Sequence, residues 1–351
     1  MKQVTTILAI LVGFTMNAQL VSVTENGNTG QRLQVSNASN HGDIGFNAVD
    51  LSYSASSSST RGATGEYATA MGYNTTAGAY CTAMGGGTTA YNRATAMGEF
   101  TTASGDYSTA MGWFTAASGR WSTAMGSWTT ASGEFSFAMG DYTTASGSRS
   151  TAMGNGTTAS DYASLTVGRY NSVNSTVTSG GNATSFDTDN AAFVIGNGTA
   201  SNAVSDAFVV RFNGDATLSG DLTINSDERL KDNIQPLGST LNKLHQIEAK
   251  TYSLKKDEEH TPKIGVLAQE VQAVFPELVT EGADGILSVN YQGLVPVLIN
   301  AINEQQLKMS EQHAKIAALE AQNAEIKELK EMVRVLALQQ SQTTSFLQAG
   351  L

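Results

Sequence analysis

Between residues 60 and 170 small polar and small apolar positions alternate in a unit that reads Ser/Thr-x-Ala-x-Gly-x-x. Ala-Met-Gly recurs with its methionine at Met71, Met84, Met97, Met111, Met125, Met139 and Met153, and Val167-Gly168 continues the series. The step is 13 residues twice and then 14 five times. A half-step lies inside it: Gly98, Gly105, Gly112, Gly119, Gly126, Gly133, Gly140, Gly147 and Gly154 are each seven apart. A coiled coil of that period needs large apolar residues and good helix formers, whereas Gly, Ser and Thr oppose helix interiors. Two-residue alternation suits a short strand, and glycine, which tolerates φ > 0, suits the turn after it. Two strands and two turns per 14 residues predict one coil of a parallel β-solenoid, with roughly seven to eight coils forming a rod about 35–40 Å long.

Stacked coils place equivalent residues in ladders. Phe100, Tyr107, Phe114, Trp121, Trp128, Phe135 and Tyr142 all stand second after a repeat glycine, so alternate members should form two aromatic columns. Such columns either tie neighbouring coils together or present a surface to a ligand. The binding candidates are Trp121, Trp128, Tyr107 and Tyr142. Alanine and methionine at alternate positions leave a thin core, for which multimerisation is a natural remedy. Cys81 stands where the unit has Ser or Thr and reads as a small core residue, with intermolecular pairing as the alternative.

The strict period ends near residue 170. Short β-like runs follow at Ala192–Gly196, Ala207–Phe212, Ala216–Leu218 and Leu222–Ile224, with Asn213-Gly214-Asp215 as a hairpin turn. Beyond residue 225 the composition changes: all four prolines and every lysine except Lys2 lie there. The last long segment carries a three-four stripe, Val295, Leu298, Ile302, Gln305, Met309, Gln312, Ile316, Leu319, Asn323, Ile326, which predicts a supercoiled helix with partners. At the other end, Lys2 precedes an apolar run over Ile7–Phe14 and the small residue Ala18, the pattern of a secretory signal. The run is too short to span a bilayer.

The expected organisation is a signal peptide at 1–18, an N-terminal β segment at 19–59 and repeats at 60–170. A β connector at 171–225, a small α+β domain at 226–300, a coiled coil at 301–340 and a flexible tail at 341–351 follow. The fold class is mostly β, in trimeric form.

The net charge of −11 argues against a nucleic-acid partner. One cysteine and four scattered histidines offer no disulfide framework and no metal-ligand spacing, so neither metal nor cofactor is expected.

The repeat resembles the head of YadA-like trimeric adhesins, over about residues 60 to 170. That resemblance implies left-handed β-rolls in a homotrimer; the signal-peptide pattern predicts a secreted or cell-surface chain, and the aromatic rows suit a host or community glycan or protein as partner. Those adhesins end in a membrane-spanning β-barrel; the C-terminal residues do not read as one, so no membrane anchor of the chain's own is expected.

A second set of motifs runs Asn225-Ser226-Asp227-Glu228-Arg229-Leu230-Lys231, then Tyr252, Lys263-Ile264-Gly265-Val266, Ala268-Gln269-Glu270, Phe275-Pro276-Glu277-Leu278 and Val289-Asn290-Tyr291. In that order they resemble the intramolecular chaperone domain at the C-terminus of endosialidases, phage tail spikes and the myelin regulatory factor family. The resemblance implies a domain that drives trimerisation and then cuts itself off at Asn225–Ser226, with Ser226 as nucleophile and Lys231 as general base. The chemistry is sound: a serine hydroxyl needs a base, and lysine serves when burial removes its proton. The alternative is that Ser226 caps a short helix whose N-terminus Asp227 and Glu228 favour; both roles can coexist. For the rod, the rivals to adhesion are a purely structural spacer and an ice-binding face built from Thr101-Thr102, Thr129-Thr130, Thr143-Thr144 and Thr157-Thr158, each with a non-cleaving trimerisation domain.

Overall fold

The computed structural model describes residues 19–172, 182–255, 257 and 260–349, without the side chains of 341–349. The signal-peptide segment, 1–18, lies outside the described residues. The chain divides into two units, Met1–Ile224 and Asn225–Leu351.

The first unit is the predicted solenoid. Each 14-residue coil carries a five-residue strand, such as Thr109–Trp113, and a two-residue strand, such as Ala116–Ala117. The long strands belong to a 14-stranded sheet and the short ones to an 8-stranded sheet. Pairing between coils is parallel and in register, Ala110 on Ala124 and Met111 on Met125. The stack exceeds the repeat on both sides. Val49–Tyr53 already pairs in parallel with Thr69–Tyr73, and Ala191–Asn197 pairs in parallel with Leu165–Arg169. Ten long rungs at about 4.8 Å give a rod of about 43 Å. Two antiparallel strands, Asp206–Arg211 and Ala216–Leu218, close this end. Leu222–Ile224, read from sequence as a further strand, is irregular and exposed.

The interior is narrower than the sequence suggests. Alternation points alanine inward and methionine outward: Ala110, Ala124 and Ala138 are fully buried while Met139 is 40% exposed. Thr115, Thr129 and Thr143, with Ser108, Ser122 and Ser136, complete the core. Cys81 occupies the same inner row, buried and free, so it does not face another chain; burial pushes its thiol above the usual range. The same alternation undoes the paired-threonine array. Thr101, Thr129, Thr143 and Thr157 point into the core, and their neighbours point out, because adjacent strand residues face opposite sides.

An N-terminal hairpin, β1 (Leu20–Glu25) and β2 (Asn28–Leu33), covers the first rung. Beneath it lies a buried polar cluster. Arg32 donates from Nε to Asp50 Oδ2 at 3.3 Å and from Nη1 to Glu25 Oε1 at 2.7 Å. His41 Nδ1 lies 3.0 Å from Asp50 Oδ2, and Ser52 Oγ donates to Asp50 Oδ1 at 2.6 Å. Asp50 is fully buried and Arg32 nearly so. Breaking one side of such a pair leaves an uncompensated charge. Asp50→Asn is expected to cost about 3–5 kcal/mol, read as a lower urea midpoint at constant slope.

The second unit is a small α+β body with one long helix. Helix α1 (Leu241–Leu244), a hairpin of Lys250–Tyr252 and Lys263–Gly265, helix α2 (Ala268–Val274) and a hairpin of Val279–Glu281 and Leu287–Val289 lead into helix α3, Leu294–Ala349. The core is Val271, Phe275 and Val297, lined by Leu244, Ile247, Val266, Val274, Leu278, Val279 and Val289. Helix α3 buries Val297 and Ala301 and is exposed from Gln305 to Gln340. It continues through 341–349, where the sequence predicts a loose tail.

Candidate functional site

The boundary between the units falls immediately before Asn225, one residue ahead of the Asn225–Ser226 bond. Residues 225 to 239 carry a single short element, the 3-10 turn Glu228–Leu230, and are exposed throughout. Asp227 caps that turn, its carboxylate accepting the Arg229 N–H at 2.9 Å. It also accepts from the Arg229 guanidinium at 3.0 and 2.7 Å, which with the backbone bond holds the Asp227 carboxyl below its usual range. The capping role that the sequence offers to Ser226 therefore belongs to Asp227. Ser226 is left free for another contact. The turn brings Lys231 back so that its Nζ donates to Ser226 Oγ at 2.7 Å. A nucleophile and a nitrogen base at that separation meet the geometric requirement for proton transfer. Both are exposed in the single chain.

The downstream motifs converge on the body. Gly265 sits where a Cβ would lie 2.7 Å from the Tyr291 hydroxyl and 3.1 Å from Tyr252 Cε1. Tyr291 Oη accepts the Val266 N–H at 3.2 Å. Glu270 pairs with Lys250 at 2.9 Å and accepts the Glu248 N–H at 3.1 Å; these contacts, Lys250 first, hold its carboxyl below the usual range. The motif residues thus tie the first hairpin to α2 and to the Tyr291 segment that follows the second hairpin.

Helix α3 is held by Glu304, which sequence reasoning missed because nothing periodic marks it. Its carboxylate accepts the Thr240 N–H at 2.6 Å, the Ser239 hydroxyl at 2.9 Å and the Leu241 N–H at 3.4 Å. It thereby caps α1 from another helix. The Thr240 backbone bond, with the others, holds this carboxyl below the ordinary glutamate range. A folded-state value below the unfolded one stabilises above the unfolded value and is lost as pH falls through the folded one. The urea midpoint of the second unit is therefore expected to fall on acidification from about pH 5 to 3, and Glu304→Gln to flatten that dependence.

In the first unit the two aromatic columns are present. Phe100, Phe114, Trp128 and Tyr142 stack with centroids 4.8, 4.4 and 5.7 Å apart. Tyr107, Trp121 and Phe135 stack at 6.2 and 4.6 Å. Arg93 lies between Tyr80 and Tyr107, and Arg149 between Phe135 and Tyr162, so guanidinium groups replace missing rings. Ring faces are turned toward one another and edges toward solvent. The seven ring residues Phe100, Tyr107, Phe114, Trp121, Trp128, Phe135 and Tyr142 each hold a left-handed backbone, φ 50–58°, a conformation the sequence assigns to glycine.

Two families match. Residues 226–280 match the chaperone of endosialidase. Residues 63–80, 92–115, 117–143 and 145–168 match the YadA head domain repeat, so both resemblances read from the motifs hold. The endosialidase-chaperone segment begins at Ser226, immediately after the bond in question. Among curated proteins, the chain is similar to long tail fiber protein Gp37 of several phages. It is 27% identical to that of Salmonella phage S16 over 46% of this chain and 20% of the relative. It is 30% identical to that of Enterobacteria phage K3 over 41% and 13%, and 38% identical to that of Escherichia phage AR1 over 25% and 9%. The chain thus spans a fifth or less of the length of these relatives. Among the described residues no helix is long and apolar enough to cross a membrane.

Proposed function

We propose that this chain is a secreted or surface-displayed fibre subunit that assembles as a homotrimer through its C-terminal unit and then cuts itself between Asn225 and Ser226. The observation that carries the reading is the 2.7 Å contact from Lys231 Nζ to Ser226 Oγ at the start of the endosialidase-chaperone segment.

The step is an intramolecular displacement. Lys231, in its neutral form, takes the hydroxyl proton, and Ser226 Oγ attacks the carbonyl carbon of Asn225. The C–N bond breaks, the proton passes to the departing Ser226 nitrogen, and an ester joins Asn225 to Ser226 Oγ. Water hydrolyses the ester, restoring the serine hydroxyl and leaving a carboxylate on Asn225 and a free amine on Ser226. An exposed lysine holds its proton in water; enclosure removes that advantage. Copies meeting over this segment would enclose it, which makes cutting conditional on assembly.

Trimerisation rests on exposed apolar surface. Ile302, Met309, Ile316, Leu319 and Ile326 on helix α3 are 43–62% exposed in the single chain, a stripe that a coiled coil of three helices would bury. A weakly specified repeat register needs such a nucleus to align chains before coils stack. Adhesion by the rod is the accompanying role.

Intact mass tests the reaction. The wild type is expected to give one fragment ending at Asn225 and one starting at Ser226, and Ser226→Ala only the full-length chain. A full-length wild type under conditions where the protein is trimeric would overturn the reading.

A further inference from the structure

In the column of Phe100, Phe114, Trp128 and Tyr142, the far face of Tyr142 is open among the described residues. Trp121 lies between Tyr107 and Phe135, Trp128 between Phe114 and Tyr142, and Tyr107 between Arg93 and Trp121. None of these three offers a flat face to a ligand. Tyr142 differs. One face rests on Trp128, and the corner above it is Gly156, which takes the same left-handed turn, φ 64°, with no side chain. The Tyr170 ring drops onto Gly156, occupying the place of its Cβ, and no ring stacks on the second face of Tyr142 among the described residues. Tyr142 is 56% exposed, the most of its column, against 36% and 39% for Phe114 and Trp128; Tyr107, covered on both faces, reaches 49%. At the opposite end of the column Phe100 rests against the Gly87 backbone corner instead, its Cδ1 2.9 Å from where a Gly87 Cβ would be.

Polar groups gather at the same place. Asp141 and Asn155 pair in register at the ends of adjacent long strands, and Arg169 follows Asn155. Asn155 Nδ2 donates to Asp141 Oδ2 at 2.9 Å, and the Arg169 guanidinium lies 5.3 Å from the centre of the Tyr170 ring. In earlier coils the same row holds Tyr73, Gly86, Glu99, Trp113 and Ser127, so carboxylate, carboxamide and guanidinium occur together only beside the open ring. An aromatic face flanked by fixed hydrogen-bonding groups is the chemistry that holds a sugar: the apolar C–H face lies on the ring while hydroxyls meet the polar rim.

We propose that Tyr142, with Asp141, Asn155 and Arg169 around the gap at Gly156, forms a binding platform for a pyranose ring. The proposal deepens the adhesive role of the rod and is independent of cleavage at Ser226. Intact mass on the same samples separates failure of one from failure of the other.

Saturation-transfer NMR on the full-length protein tests it, with the methyl glycosides of glucose, galactose, mannose and N-acetylglucosamine as probes. Transfer to the ring protons of at least one glycoside is expected. Tyr142→Ala is expected to weaken it roughly tenfold or more. Gly156→Tyr is expected to extend the column over Tyr142 and abolish transfer while circular dichroism stays that of the wild type. Its left-handed φ is one that tyrosine already adopts at Tyr142, and the atoms it displaces belong to the Tyr170 side chain. Trp121→Ala is expected to leave transfer unchanged. No transfer to any glycoside would overturn the proposal, as would transfer that survives Tyr142→Ala. Binding of a tyrosine- or tryptophan-containing peptide with no transfer to a glycoside would assign the platform to protein instead and equally overturn it.

Discussion

A chain carrying Ile302→Asp together with Ile316→Asp is expected to remain uncut, although both substitutions lie on helix α3, far along the sequence from Ser226. Both isoleucines are exposed in the single chain, at 62% and 51%, so the changes do not disturb the core of Val271, Phe275 and Val297. In a three-helix seam each would bury a carboxylate beside two copies of itself. Burying an unpaired charge costs several kcal/mol even after relaxation. Sedimentation is expected to show a folded single chain at concentrations where the wild type is trimeric, an association weakened by about a thousandfold or more. Intact mass on the same sample is expected to show no fragment starting at Ser226. The separate variant Lys231→Met should assemble normally and also stay uncut, since a missing base costs about 10²–10⁴ in rate. If the double aspartate variant sediments as one chain and still cuts at the wild-type rate, cleavage does not depend on assembly.

The second large effect concerns the rod. Gly126→Ala is expected to cost about 3–5 kcal/mol, summing backbone strain and overpacking. Gly126 holds φ 118°, and its Cβ would lie inside the contact shell of the Gly140 carbonyl oxygen in the next coil. The obstacle is backbone, which cannot rotate away. The same substitution at Gly119 separates the two causes. Gly119 is absent from the positive-φ positions, yet its Cβ would meet the Gly133 carbonyl oxygen just as closely. Gly119→Ala should therefore lose the overpacking part alone, about 1–3 kcal/mol. Removing a ring from the column, Trp128→Ala, should cost only about 1–3 kcal/mol through two lost stacking contacts. Thermal unfolding of the three variants ranks them. A Gly126→Ala chain that melts with the wild type would show that coils adjust their spacing freely.

The repeat made the rod legible because every coil meets the same neighbours, so one pattern of 14 residues states the contact between coils many times over. The columns through Phe114, Trp128 and Tyr142 follow from the period alone. So do buried alanines and the parallel register. The motifs beyond residue 225 were legible in order, and Gly265, Tyr252 and Tyr291 do meet. What the period does not carry is the sign of the backbone at each corner. Closure of the coil places the aromatics at positive φ and frees Gly105, Gly119 and Gly133 from it, leaving those glycines to make room for a neighbouring carbonyl.

Sequence by itself therefore determined the translational repeat, the ladders and the location of a serine–lysine pair at a compositional boundary. Tertiary structure alone decided that Asp227 rather than Ser226 caps its turn, and that Lys231 reaches Ser226. It alone also decided that Arg32, His41 and Asp50 share a buried cluster and that Gly156 uncovers one face of Tyr142. The physical reason is common to these. Each depends on a single closing geometry between particular atoms, occurs once, and so leaves no periodic trace along the chain.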